Sequence, residues 1–129
     1  MLRTKVNPAV NEMNNKLRKL RKLQPQINII NEAVAAADAA AREHIRKNPG
    51  VWYPCGFAWV KINPARGPLV TALKALGIGR VNKFEGGYDV WNPSNNSTQW
   101  LDAKEVGARA FAEVLRKYGF ECTVCTRLD

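Results

Sequence analysis

The placement of aromatic residues constrains this chain more than any other feature. Residues 1–48 contain no Phe, Trp or Tyr, whereas residues 49–129 hold all four Trp, three Tyr and four Phe. Asn48-Pro49-Gly50 marks the break, since proline and glycine together interrupt helices and strands alike. The pattern predicts a basic helical extension over 1–48 and an α+β domain over 49–129. No internal repeat is visible, and Ala33 to Ala41 is the one biased stretch.

The first part reads as two helices. Val10, Met13, Leu17 and Leu20 recur at spacings of three, four and three, with Asn7-Pro8 as the start. Pro25 ends or kinks this helix near Leu23. A second helix is expected from Gln26 to Lys47, striped by Ile27, Ile30, Val34, Ala37, Ala41 and Ile45. The small side chains of that stripe allow close approach of another element. Both stripes need a partner, either the rest of this chain or a second copy. His44, the only histidine, falls in the last turn, where a capping or surface role suits it.

Charge follows the same division. Of the formal net +9, residues 1–48 supply ten basic against four acidic groups, and residues 49–129 ten against seven. Within the first 24 residues Arg3, Lys5, Lys16, Arg18, Lys19, Arg21 and Lys22 face Glu12 alone. Such a run attracts polyanions through counterion release. It also reads as a solvated helix face that keeps the chain soluble. With 46% hydrophobic and 24% charged residues the chain is too apolar for full disorder. No apolar run reaches the roughly 18 residues needed to cross a bilayer. The N-terminus lacks the apolar core of a secretory signal, and three cysteines argue against a secreted disulfide framework. A basic, cytoplasmic protein with no membrane partner is expected.

The second part alternates strand and helix signals. Cys55 to Ile62 is a strand ended by Asn63-Pro64, and Pro68 opens a short helix closed by Gly77. A strand over Arg80–Phe84 turns at Glu85-Gly86-Gly87 into Tyr88–Trp91, and a polar loop follows from Asn92 to Trp100. Asp102 and Glu105 have capping-box spacing ahead of a helix with Ala103, Val106, Gly107, Ala110, Phe111, Val114, Leu115 and Tyr118 on one face. After Gly119, Phe120 to Arg127 is the last strand. The order β-α-β-β-α-β predicts a ferredoxin-like sheet with one face covered by two helices and the other open.

Period-two alternation puts Ala58, Val60 and Ile62 on one side of the first strand and Phe57, Trp59 and Lys61 on the other. With Arg127 from the last strand and Trp91, those residues form an aromatic, basic open face. Rings that stack on bases beside cations that meet phosphates are how RNA-binding sheets work, though no RNP1-like run is present. The same open face also offers a place for the N-terminal helix to bury its stripe. The nucleic-acid-binding candidates are therefore Lys16, Arg18, Lys19, Arg21, Lys22, Phe57, Trp59, Lys61 and Arg127. Gln99, Lys104 and Arg127 form a second candidate set, a small polar pocket or interaction surface beside the 92–100 loop.

Catalytic and metal chemistry finds no footing. Cys122 and Cys125 could join Cys55 and His44 around zinc, but a spacing of three on a strand sends the two sulfurs to opposite faces. Gly77-Ile78-Gly79 follows a helix and lacks the third glycine of a dinucleotide fingerprint, and no nucleophile–base pair is recognisable. No cofactor, metal or catalytic residue is expected.

Gly56-Phe57-Ala58-Trp59-Val60, Gly86-Gly87-Tyr88 with Trp91, Gln99 with Asp102 and Lys104-Glu105, Ala108-Arg109-Ala110 and the closing Arg127-Leu128-Asp129 resemble a set of small accessory proteins of tailed bacteriophages. The resemblance spans roughly residues 51–129. It implies a setting, the infected bacterial cytoplasm, and no reaction. The expectation is a non-enzymatic protein that binds RNA or DNA. The alternatives are a module that binds a host or phage protein or forms homo-oligomers through its N-terminal helices, and a protein that captures a nucleotide or other small anion.

Overall fold

The computed structural model describes residues 7–50 and 53–129; the N-terminal segment, with Arg3 and Lys5, lies outside them. Helix α1 (Pro8–Lys22) opens on Asn7, whose Oδ1 accepts the Ala9 N–H at 2.9 Å. Leu23 closes it, and α2 (Gln24–Lys47) follows at once with Pro25 in its first turn, where the missing N–H costs nothing. This start precedes the expected one at Gln26 by two residues. Then come β1 (Gly56–Ile62), α3 (Pro68–Ala75), β2 (Arg80–Val81), β3 (Tyr88–Trp91), α4 (Leu101–Lys117) and β4 (Cys122–Leu128).

The protein is α+β, with one sheet in the order β2-β3-β1-β4 and every pairing antiparallel. Along β1, Ala58, Val60 and Ile62 are buried while Phe57, Trp59 and Lys61 are half-buried, as the alternation predicts. The inner set meets Leu69, Val70 and Leu73 of α3 and Phe111 and Leu115 of α4 in one core.

Helix α2, expected as part of an extension, is built into that core through Ile30, Ala33 and Ala37. It packs along α4 and against α3, not on the aromatic face of the sheet. The approach is close: a Cβ on Gly107 would lie 3.2 Å from the Ala37 carbonyl oxygen and 3.0 Å from Ser94 Cβ. Helix α4 is therefore enclosed by the sheet on one side and α2 on the other. That is why Lys104, Ala108 and Ala112, outside the expected stripe, are also buried. At the far end, Glu32 of α2 accepts hydrogen bonds from Lys117 Nζ and Tyr118 Oη.

Two local expectations are corrected. Strand β2 stops at Val81, not Phe84, because Asn82 starts a turn: its Oδ1 accepts the N–H groups of Phe84 and Glu85, and its backbone bonds Gly86 and Gly87. No capping box forms at α4. The helix begins at Leu101, and the Leu101 N–H donates to the Pro54 carbonyl, so a distant backbone group does the capping. Asp102 sits in the first turn, still well placed for the helix dipole.

Phe111 is fully buried, whereas Leu17 on α1 is 45% exposed. Phe111→Ala is expected to cost about 3–5 kcal/mol in urea unfolding, and Leu17→Ser less than about 0.5 kcal/mol.

Candidate nucleic-acid interface

The outer face of the sheet is organised by register. Trp59 of β1 pairs with Trp91 of β3 and with Cys125 of β4; Phe57 pairs with Arg127, and Lys61 with Asp89 and Thr123. The Trp59 and Trp91 ring centroids are 4.4 Å apart with planes at 19°. Indoles lying flat side by side cannot come that close, so the rings overlap face to face and stand up from the sheet. Phe57 meets Trp91 edge-on at 6.0 Å. Arg80, from the neighbouring β2, lies 5.9 Å from the Trp91 ring, and Arg127 lies 5.3 Å from that of Phe57. The result is a ladder of rings with an exposed guanidinium at each side, and neither α1 nor α2 covers it.

Two of the candidate lysines, Lys61 and Lys104, serve the fold. Lys61 Nζ donates to the Gly86 carbonyl at 2.6 Å and lies 3.0 Å from Asp89 Oδ1, an ion-pair distance without hydrogen-bond alignment. Asp89 is buried, and Asn82 Nδ2 donates to its other oxygen. The 82–87 turn thus closes over this end of the sheet and commits the Lys61 charge internally. Lys104 is buried, donates to the Gly56 carbonyl at 2.8 Å and lies 5.3 Å from the Phe57 ring. Lys104 and Arg127 do converge, but on Phe57. Gln99 is exposed, and its backbone carbonyl accepts the Gly56 N–H.

The other cations stand apart from this face. Lys16, Arg18, Lys19, Arg21 and Lys22 are all exposed, and among the described residues none has a carboxylate within ion-pair distance. Helix α1 buries no residue. Its basic end adjoins Thr71 and Ala75 of α3, on the helical side of the sheet. The basic run and the aromatic ladder therefore occupy different sides of the molecule.

Sequence reasoning misses Arg80 as a member of the outer face. Its signal is a place at the start of a strand leading into Tyr88–Trp91, obscured because the residues after it suggest a longer β2 than the chain forms. The cysteines lie as the strand geometry requires: Cys122 Sγ points to the Ala112 carbonyl under the sheet, and Cys125 sits across from Trp59 on the outer face. Burial pushes both thiols above their ordinary range. His44 packs against Trp100 at 4.7 Å, and Tyr53 stacks on the same indole at 5.0 Å. The role of His44 is thus in packing at the end of α2.

No protein-family model matches the chain, and neither a curated protein nor a solved structure matches it.

Removing one member of a buried ion pair strands the other. Lys61→Ala is expected to cost about 3 kcal/mol in chemical denaturation, while Arg127→Ala, at an exposed position, costs less than about 1 kcal/mol.

Proposed function

We propose that this is a non-enzymatic nucleic-acid-binding protein, of the tailed-phage accessory class that its sequence resembles and active in the cytoplasm of the infected bacterium. The observation that carries the reading is the basic end of α1. Five cations stand unpaired, among the described residues, on a helix that buries nothing of its own. A stabilising role for those charges would require partners, and a polyanion supplies them. The aromatic ladder adds a second contact, with Arg80 and Arg127 placed to meet phosphates while a base stacks beside the indoles. Lys61 and Lys104 hold the fold in this reading and touch no ligand. The burial of Lys104 also leaves the Gln99, Lys104 and Arg127 set without a free central cation, which disfavours the small-anion alternative.

The strand order read from the opposite edge, β4-β1-β3-β2, together with the chain order β-α-β-β-α-β, supports a ferredoxin-like classification of the sheet.

Fluorescence-anisotropy titrations with labelled single- and double-stranded oligonucleotides over a salt series test the function. Affinity is expected to fall steeply with salt. The triple variant Arg18→Glu, Lys19→Glu, Lys22→Glu should weaken binding at least tenfold. It should also flatten the salt slope by about 2–3, at roughly 0.7–0.9 for each phosphate that is no longer neutralised. Arg80→Ala with Arg127→Ala should weaken single-strand binding more than duplex binding. Absence of binding at low salt overturns the reading.

A further inference from the structure

Strand β3 runs on past the end of its neighbour β2, which leaves a slot in the sheet edge. Arg80 pairs with Asp89 and Val81 with Tyr88, so the same register would set Ile78 against Trp91. That pair does not form. Gly79 turns the chain away at φ 78°, the Ile78 N–H donates to the Leu73 carbonyl, and the Ile78 carbonyl accepts the Tyr88 hydroxyl. On β3, the Asn92 N–H donates to the Ala58 carbonyl of β1. Backbone groups of successive strand residues point to opposite sides, so the N–H and C=O of Trp91 face the edge that β2 has left. Among the described residues no other backbone group pairs with them there.

A cavity of about 340 Å³ lies in this gap. Trp91 and the Gly77–Gly79 turn flank it, Val34 of α2 and Phe111 of α4 line its apolar end, and exposed Asn95 lies at its rim. We infer that the slot takes one nucleobase, held by the Trp91 N–H and C=O. No lining side chain is charged, so the group that enters is neutral. An aliphatic group would leave the Trp91 donor and acceptor without partners, which is costly once water is excluded. A flat ring with a donor beside an acceptor on one edge meets both requirements, and the splayed bases of single strands are read on such edges. The Asn92 carboxamide is engaged with Asn96 and Ser94, which leaves Asn95 to meet a further polar atom of the base. Arg80 directly follows Gly79, and its guanidinium lies 5.9 Å from the Trp91 ring, placed for the phosphate of the same nucleotide. The inference rests on the nucleic-acid reading only for the strand that delivers the base.

Amide and methyl chemical shifts of the full chain, titrated with adenosine 5′-monophosphate and with ribose 5-phosphate, test it. The nucleotide is expected to shift the Trp91, Gly77 and Gly79 amides and the Val34 methyls saturably, and ribose 5-phosphate only Arg80. Val34→Phe, which fills the apolar end, should weaken the nucleotide about tenfold. Asn95→Gly accepts the φ of 54° without strain and should weaken it about threefold, which keeps the test open if Val34→Phe does not fold. Unchanged affinity in both variants overturns the inference. Shifts confined to Phe57 and Trp59, which mean stacking on the outer rings, overturn it too, as does no shift at about 10 mM, above the millimolar range of weak specific ligands. A single-stranded oligonucleotide separates the two readings. If it shifts residues 16–22 and Arg127 but not Gly77 and Gly79, the slot falls and the nucleic-acid reading stands. If no oligonucleotide binds while the mononucleotide fills the slot, the slot stands and the nucleic-acid reading falls.

Discussion

The contact between Ala37 and Gly107 governs the arrangement of this molecule. Helices α2 and α4 approach so closely there that a methyl group at 107 would press on the Ala37 carbonyl. Alanines at 33, 37 and 41 let α2 seat along α4 with nothing protruding between them. Once α2 is held on the helical side, it cannot cover the outer face of the sheet. The aromatic ladder is left open as a consequence, and α1, continuing from α2 across Leu23, is carried clear of the core.

Strand β1 converts that arrangement into two chemically distinct surfaces. Its inner residues Ala58, Val60 and Ile62 are fixed by α3 and α4, and its outer residues set the spacing of the ladder through pairing with β3 and β4. The outer face is not uniform. At one end Lys61, Asp89 and the 82–87 turn neutralise one another, and at the other Phe57, Trp59 and Trp91 stand between Arg80 and Arg127. On the outer strand surface, the exposed guanidinium groups of Arg80 and Arg127 lie at the aromatic end, and α1 carries five more exposed cations.

Much of this is legible in the residues. The stripes of α2 and α4, the alternation along β1 and β4, and the break between α1 and α2 beside Pro25 follow from local periodicity and backbone chemistry, whereas the expectation that the α1 stripe is buried fails, since α1 buries no residue. What escapes is set by contacts between distant segments. The capping box at Asp102 fails because Pro54, far away in sequence, satisfies the Leu101 N–H first. Lys61 reads as a phosphate contact because its alternation is visible while its partner Asp89 is not. Lys104 reads as a surface cation because the expected stripe of α4 leaves it out, whereas the start of β1 closes over it through the Gly56 carbonyl and the Phe57 ring. The lone His44 is legible as structural, though its packing against Trp100 is not.

In the proposed function the free cations of α1 and the Arg80–Arg127 ladder are the ligand contacts while Lys61 and Lys104 are internal. Backbone amide chemical shifts followed during titration with a short single-stranded oligonucleotide separate the two groups in one experiment. Saturable shifts are expected over residues 16–22 and at Phe57, Arg80, Trp91 and Arg127, with Lys61, Gly86 and Asp89 little changed. Shifts centred on the 82–87 turn and Lys61, or none at all, would contradict that function.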